Sequence, residues 1–438
     1  MNCRIVTGPL KRALIVENPA DELDGLLMEQ GMEVLRLDVI PAEDELIRIM
    51  TERRTQVLFK RSKVAVTRRL IEACPELLVI QLCCIGDDSV DKQACADHGI
   101  VVCNDPVSNG RSVVELVFGN LISLSRRLFE TNPECNRGVW GKNNKDRYEI
   151  LGKHLGIIGL GNIGRAVARV AQSFGMHIHF YDTRQVSFEL GKELGWTAHD
   201  SLDSLFSNSD CVTVHLSAQD VGGTSNEGVL SIEHFRALGR NRPNGPRIFL
   251  NFARGFLFEP RLLIQAIAEG VVSRAAVDVY PHEPRTGEDW VNPYRDESKI
   301  VVYPHIGAST QEAQPRIAHR VAHTFNQFST RGAIRDTVFQ PRLTLELSEQ
   351  ATNGQTWLMV CHSPVRGTKR CIDETIYAAG VDNIASLHKD FPEYGWAYDL
   401  ALLDQPLSDE QLENMIETAS HLDPSTQVIR SIRQVVVQ

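Results

Sequence analysis

The chain has 438 residues, enough for about three domains of ordinary size, and 42% of them are hydrophobic, which is ample for a core. Acidic side chains outnumber basic ones by 56 to 46, a formal charge of −10. That balance argues against a surface that tracks nucleic acid, so any anionic substrate must be gripped by local positive groups.

In chain order, RALIVENP (12–19) reads as a strand and PADELDGLLMEQG (19–31) as a helix. EVLRLDV (33–39), QVLFKR (56–61), LLVIQLCC (77–84) and IVVCNDP (100–106) read as further strands with helical stretches between several of them. Strand–helix alternation of this kind predicts a parallel sheet covered by helices. A long apolar helix is expected over 112–130, then a polar loop, RGVWGKNN (137–144). The pattern restarts with HLGIIGLGNIG (154–164), and strands are expected at MHIHFY, CVTVHLS, RIFLNFA, AAVDVY and IVVYPH, giving a second parallel sheet. Periodicity fades over 331–352, which reads as a linker. Residues 353–438 then run strand, helix, strand, strand, helix, strand, the order of a ferredoxin-like module. Ser408 and Gln411 form a capping box for its second helix. The expected fold class is therefore α/β, with two Rossmann-like doubly wound lobes and a C-terminal βαββαβ domain.

No run approaches the ~18 apolar residues of a membrane span. The basic residues near the N-terminus are not followed by an apolar leader or cleavage pattern. The ten cysteines form no CxxC pair and none lies near histidine at zinc spacing, so no metal site is expected and buried free thiols are. A reducing cytoplasm fits these features, with no nucleic-acid or membrane partner.

GLGNIG places Gly159, Gly161 and Gly164 between a strand and a helix. The next strand ends at Asp182, 18 residues after Gly164. That is the full context of a dinucleotide fingerprint. Gly159 allows the tight turn, Gly161 admits the pyrophosphate, and Gly164 lets the helix pack close. Asp182 would accept from the adenosine ribose hydroxyls and repel a 2′-phosphate, favouring NAD, although Arg184 close by weakens that discrimination. Three charged residues follow later strands: Arg254 after RIFLNFA, Glu283 after AAVDVY and His305 after IVVYP. Parallel strands gather their C-terminal ends at one edge, so all three can meet. Hydride loss from a secondary alcohol needs a base for its hydroxyl proton, which suits His305. Glu283 can hold the ring and pair with its protonated form, and Arg254 can grip a carboxylate.

Together GLGNIGRAVA, NFARG, VDVYPHEP and PHIGAST resemble the D-isomer-specific 2-hydroxyacid dehydrogenase family. FKRS (59–62), CCIGDDSVD (83–91), NDPVSNGRSVVELV (104–117) and RGVWGK (137–142) resemble its branch that acts on D-3-phosphoglycerate in the first step of serine synthesis. The resemblance implies a substrate-binding lobe over 1–107 with a return segment 306–330, an NAD-binding lobe over 108–305, and a regulatory ACT-like module over 353–438. It makes Arg254, Glu283 and His305 the catalytic set. It makes Asn162, Ile163, Asp182, Phe252, Ala253, Arg254, Asp278, His305, Ile306, Gly307 and Ala308 cofactor contacts beside the three glycines. Arg61, Ser62, Ile85, Gly86, Asn109, Arg111 and Ser112 fall in its substrate-binding segments, with Arg61 suited to a phosphate dianion. His362, Gly367 and Asn383 are its possible positions for an amino-acid effector, usually serine, although Pro364 departs from the pattern there and a module that only assembles subunits is the alternative. Trp140 and Lys142 stand where relatives reach toward a neighbouring subunit, a buried anchoring tryptophan being the other reading, and a homodimer or homotetramer is expected. Alternative functions are another D-2-hydroxyacid dehydrogenase, such as a glyoxylate or hydroxypyruvate reductase, or an NAD-sensing corepressor-like binding protein.

Overall fold

The computed structural model describes residues 3–220, 223–284, 288–341 and 343–438, in two compact units. One unit combines residues up to 106 with those from 314 onward, and the other is 107–313.

The first unit opens with a short strand, β1 (Arg4–Thr7). Five parallel strands follow: β2 (Arg12–Ile15), β3 (Glu33–Arg36), β4 (Val57–Lys60), β5 (Val79–Leu82) and β6 (Val101–Cys103). Their order, β3-β2-β4-β5-β6, is the doubly wound flavodoxin-like order, with its switch point between β2 and β4. Continuous apolar runs make the central strands buried on both faces: all four residues of β4 and of β5 are buried.

The second unit carries β7 (His154–Ile158), β8 (His177–Tyr181), β9 (Thr197–Ala198), β10 (Cys211–Val214), β11 (Ile248–Asn251), β12 (Arg274–Val277) and β13 (Ile300–Val302). All seven are parallel in the order β13-β12-β11-β10-β7-β8-β9, the Rossmann arrangement. The long helix expected over 112–130 is not continuous. It runs Gly110–Arg126, stops at Arg127 with φ 60°, and resumes as Leu128–Asn136. The apolar pattern continues through the break, but Leu128 and Phe129 are exposed, so only the first piece serves the core.

The chain returns to the first unit along the helix Ala313–Arg331. The segment 331–352 is not a free linker. It pairs β14 (Ile334–Arg335) with β15 (Thr344–Leu345), and it buries Ile334, Val338 and Phe339, whose apolar side chains have no favourable place in water. Residue 342 lies outside the described residues. Then come β16 (Thr356–His362), β17 (Asn383–Phe391), β18 (Trp396–Leu403) and β19 (Ile429–Val436), joined by helices Thr368–Ala378 and Asp409–Ser420 in the βαββαβ order. The capping box at Ser408 is present: Gln411 N–H donates to Ser408 Oγ at 3.3 Å and Ser408 N–H to Gln411 Oε1 at 2.8 Å.

Two features of this module were not expected from the sequence. The strand β1 joins its sheet in parallel with β19, so the sheet order is β1-β19-β16-β18-β17. The face of the sheet away from its helices packs Met359, Cys361, Tyr398 and Leu400 into the same core as β2–β6 and the helix Ala313–Arg331. Tyr398 OH donates to the Gly332 carbonyl at 2.7 Å, and the buried Arg433 guanidinium donates to the Ser329 carbonyl at 2.5 Å and to that of Phe328. Side-chain polar groups thus satisfy the backbone where helix 313–331 ends.

Candidate active site

In the 107–313 unit, the turn after β7 is built for close approach. Gly159 has φ +90°, and a Cβ there would stand 2.7 Å from the His215 carbonyl oxygen. A Cβ on Gly164 would fall 2.0 Å from the Gly159 carbonyl oxygen, which is why the helix Asn162–Ser173 can sit against the strand. Gly161 is the opposite case: its absent Cβ meets nothing nearer than Arg184 Nη2 at 3.9 Å. The space in front of Gly161, at the N-terminus of a twelve-residue helix, suits a pyrophosphate. Asn162 and Ile163 form the first turn, where Asn162 Oδ1 accepts from Arg165 at 2.9 Å.

Asp182 follows β8 and is nearly buried. Its oxygens accept from Leu160 N–H at 2.7 Å and from Arg184 N–H at 2.8 Å, and they pair with the Arg184 guanidinium at 2.7 Å. Burial alone would raise the Asp182 carboxyl, but the hydrogen bonds and charge of Arg184 outweigh it and hold the group below its ordinary value. An ionised acceptor stands at the expected ribose position, with a guanidinium beside it. The glycine cradle and this carboxylate fit a dinucleotide.

Two of the catalytic candidates, His305 and Glu283, meet in the same unit that carries Arg254. His305 Nδ1 lies 2.8 Å from Glu283 Oε2, although 22 residues separate them. Since a carboxylate only accepts, Nδ1 carries the proton, which leaves Nε2 of the neutral ring as the basic atom. His305 has φ 57°, an uncommon conformation for a side-chain-bearing residue. Asp278, after β12, holds that turn: its two oxygens accept from Ile306 N–H and Gly307 N–H, each at 2.7 Å. Burial pushes the Asp278 carboxyl up, against those two amides. Asp278, expected as a cofactor contact, is thus engaged on both oxygens with the backbone after His305. Ala308 follows in the same turn.

Asn251, at the end of β11, makes the corresponding clamp for Arg254. Its amide donates to the Arg254 carbonyl at 2.9 Å, and its oxygen accepts from Ala253 N–H at 3.1 Å. Phe252 and Ala253 are buried within that loop. A Cβ on Gly255 would overlap the Tyr280 backbone at 1.9 Å, so only glycine lets the loops after β11 and β12 come together. Asn251 and Gly255 have no sequence signal beyond lying beside Arg254.

The remaining positions divide between the units. In 107–313, Asn109 stands at the N-cap position of the helix Gly110–Arg126 without a side-chain cap bond, and its buried Oδ1 has no hydrogen-bond partner among the described residues. Ser112 Oγ meets Thr310 Oγ1 at 2.9 Å, and Arg111 pairs with Glu115 at 2.6 Å on the exposed face. Trp140 is 84% exposed, so it is not a buried anchor in this chain. In the other unit, Arg61 and Ser62 follow β4, and Ile85 and Gly86 follow β5. No hydrogen bond or ion pair engages the Arg61 guanidinium among the described residues. Its neighbour Lys60 is fully buried, with Nζ 2.6 Å from Ser89 Oγ and 3.9 Å from Glu17 Oε1. Burial pushes that ammonium down against the nearby Glu17 charge. Of the possible effector residues, His362 is buried and Asn383 begins the exposed edge strand β17, while Gly367, at φ +100°, starts helix 368–378.

Comparison with known proteins bears on this constellation. The family described as D-isomer specific 2-hydroxyacid dehydrogenase, NAD binding domain, matches residues 118–307. The D-3-phosphoglycerate dehydrogenase of Haemophilus influenzae is 34% identical over 337 residues, covering 77% of this chain and 78% of that protein. The one of Escherichia coli K12 is 32% identical over 356 residues, covering 81% and 82%. Among solved structures, a glyoxylate reductase from Paecilomyes thermophila superposes with a TM-score of 0.65 at 21% identity, covering 75% of this chain and 98% of that one, a likeness of fold.

Proposed function

This chain belongs to the D-isomer specific 2-hydroxyacid dehydrogenase family as an NAD-dependent dehydrogenase, and we propose that it oxidises D-3-phosphoglycerate to 3-phosphohydroxypyruvate, the first step of L-serine synthesis. The observation that carries the reading is the His305–Glu283 pair, 2.8 Å apart, in one unit with Arg254 and the glycine turn. NAD, when bound, supplies the hydride acceptor. His305 Nε2 takes the proton from the substrate C2 hydroxyl, and returns it in the reverse direction. Glu283 keeps the ring in the required tautomer and stabilises its cationic form. Arg254 binds the substrate carboxylate by paired N–H groups. Asn109 and Ser112 complete the substrate contacts beside Arg111. Arg61, Ser62, Ile85 and Gly86 take the phosphate end, where the unengaged Arg61 guanidinium matches a dianion.

For the C-terminal module we favour subunit assembly over serine sensing. His362 already uses both ring nitrogens, to Ser363 O and Asp399. The nine-residue strand β17 lies at the sheet edge, where it can pair with another copy. The exposed Trp140 is a second contact for a homo-oligomer. A reducing cytoplasm suits the ten free cysteines, and among the described residues no helix is long and apolar enough to cross a membrane.

The test is NADH oxidation with 3-phosphohydroxypyruvate and, in parallel, hydroxypyruvate, for wild type and Arg61→Ala. Strong preference for the phosphorylated substrate, erased by Arg61→Ala, is the expected result. Equal turnover of hydroxypyruvate or glyoxylate by wild type would make it a general reductase. Binding of NADH without turnover of any of them would favour the NAD-sensing binding protein. Serine added to the assay is expected to leave the rate unchanged.

A further inference from the structure

Three side chains of the C-terminal sheet meet at a point outside the dehydrogenase constellation. Asp399 lies on β18, directly across from His388 on β17. His362 ends β16 opposite Ala397, two residues along from Asp399, so all three share one face of the sheet. Asp399 Oδ2 faces both rings, with His362 Nε2 at 2.6 Å and His388 Nδ1 at 3.1 Å. The other ring nitrogens turn outward onto acceptors: His362 Nδ1 to the Ser363 carbonyl at 2.6 Å, and His388 Nε2 to Asp390 Oδ1 at 3.1 Å. Lys369 Nζ stands 3.5 Å from the other Asp399 oxygen, Oδ1, and 2.5 Å from Asp373.

A neutral imidazole has one N–H. Every partner of the two rings, inward and outward, only accepts, so a neutral ring leaves one of its two contacts without a proton. In the tautomer with its proton on the outward nitrogen, each ring presents an inward lone pair to Asp399. The three potential ligand atoms lie within 4.8 Å of one another, two of them on side chains almost removed from water. Lys369 offsets part of the Asp399 charge from outside the trio, and a metal ion among the three atoms would offset it from within. The outward hydrogen bonds, to a backbone carbonyl and to a carboxylate, are the contacts that orient metal-bound histidines. In a tetrahedral shell with bonds of about 2.0–2.1 Å, ligand atoms stand about 3.3 Å apart. The two contacts to Asp399 Oδ2, at 2.6 and 3.1 Å, are shorter than that spacing, so the side chains must draw apart to admit an ion.

We propose that His362 Nε2, His388 Nδ1 and Asp399 Oδ2 form a site for a divalent transition-metal ion of the zinc class, with a fourth position open to water beside the partly exposed His388. Two imidazoles and one carboxylate suit zinc, cobalt or nickel better than calcium or magnesium. The ion would tie β16, β17 and β18 together, and its uptake would displace any protons from the inward nitrogens. The ligands come from three strands and form no local motif, which is why the sequence reading expected no metal.

The test uses the full chain stripped with chelator, then titrated with Co2+ and with Zn2+. His388→Gln removes a ligand from the exposed edge without emptying the core, and Asp399→Asn removes the charge at nearly constant shape. His177→Gln is the control, since His154, His177 and His179 lie together elsewhere. The expected result is one equivalent of Co2+ with visible d–d absorption, displaced by Zn2+, and a rise in Tm with Zn2+. Both effects should fall at least tenfold in apparent affinity in His388→Gln and Asp399→Asn, and persist in His177→Gln. Circular dichroism establishes that each variant is folded. Absence of stoichiometric Co2+ binding to folded wild type, or binding unchanged in His388→Gln, would overturn the proposal.

Discussion

The two sheets that carry polar clusters place them in opposite ways. In the 107–313 unit the strands are parallel, and Arg254, Asp278, Glu283 and His305 all lie in loops beyond strand ends. Backbone amides then fix those loops, through Asn251 for one and Asp278 for the other. In the C-terminal sheet β16, β18 and β17 are antiparallel neighbours, and His362, His388 and Asp399 sit on the strands themselves, held by the ladder. The first arrangement puts chemistry at an edge where a ligand enters, with clamps that can be lost one at a time. The second sets the geometry through strand pairing and involves no loop.

The contrast is sharpest for Arg254. Arg254→Ala should lower kcat/KM by roughly 10³-fold through loss of a paired charge-assisted interaction, with NADH affinity nearly unchanged. Arg254→Lys should recover little, because an ammonium lacks the planar fork. Steady-state kinetics beside NADH fluorescence titration reads both.

Asp278→Ala tests the clamp. If the carboxylate acts by holding the His305 turn, kcat should drop by about 10–10²-fold and the pH profile should shift, while the NADH Kd stays within a few-fold. If it instead serves chiefly as a cofactor contact, the Kd should rise and kcat should survive.

The histidine chain of the 107–313 unit should respond to acidification. His154 Nδ1, His179 Nε2 and Nδ1, His199 Nε2 and Nδ1, and Ser204 Oγ form a chain at 2.6–2.8 Å in which every neutral ring can donate once and accept once. Burial, then the neighbouring rings and Arg242, lower His179 from 6.5 to about 3. Its folded value lies below its unfolded one, so its contribution is fully present above about pH 6.5 and is lost as pH falls toward 3. Tm should decline between pH 7 and 5, and His179→Asn should flatten the decline. A Tm independent of pH over that range would contradict a neutral relay.

The smallest effect belongs to the module's second helix. Ser408→Ala removes one half of the capping box and should cost about 1 kcal/mol. Hydrogen exchange of the amides at the start of helix 409–420 should quicken, with turnover untouched.

Much of the first arrangement was legible because a parallel sheet has a simple rule. Gly159, Gly161 and Gly164 sit between a strand and a helix, Asp182 ends the next strand, and Arg254, Glu283 and His305 each follow one. Long-range pairing was not legible. Nothing in RIVT (4–7) indicates that it docks beside β19, since that pairing depends on an edge created over four hundred residues later. The break at Arg127 was hidden by apolar residues that continue past it into solvent. Asn251 and Asp278 act through carbonyls and amides, which leave no mark in side-chain spacing. The His362–His388–Asp399 cluster depends on the registers of β16, β17 and β18, which follow from pairing rather than from sequence distance.

The most direct measurement is the paired determination of NADH Kd and 3-phosphohydroxypyruvate turnover for His305→Ala against wild type. The account predicts a Kd within about threefold of wild type and a kcat lower by roughly 10²–10⁴-fold, the usual range for loss of an acid–base group. A His305→Ala enzyme that binds NADH and turns over the keto acid at a near-wild-type rate would contradict the assignment of the proton transfer to His305.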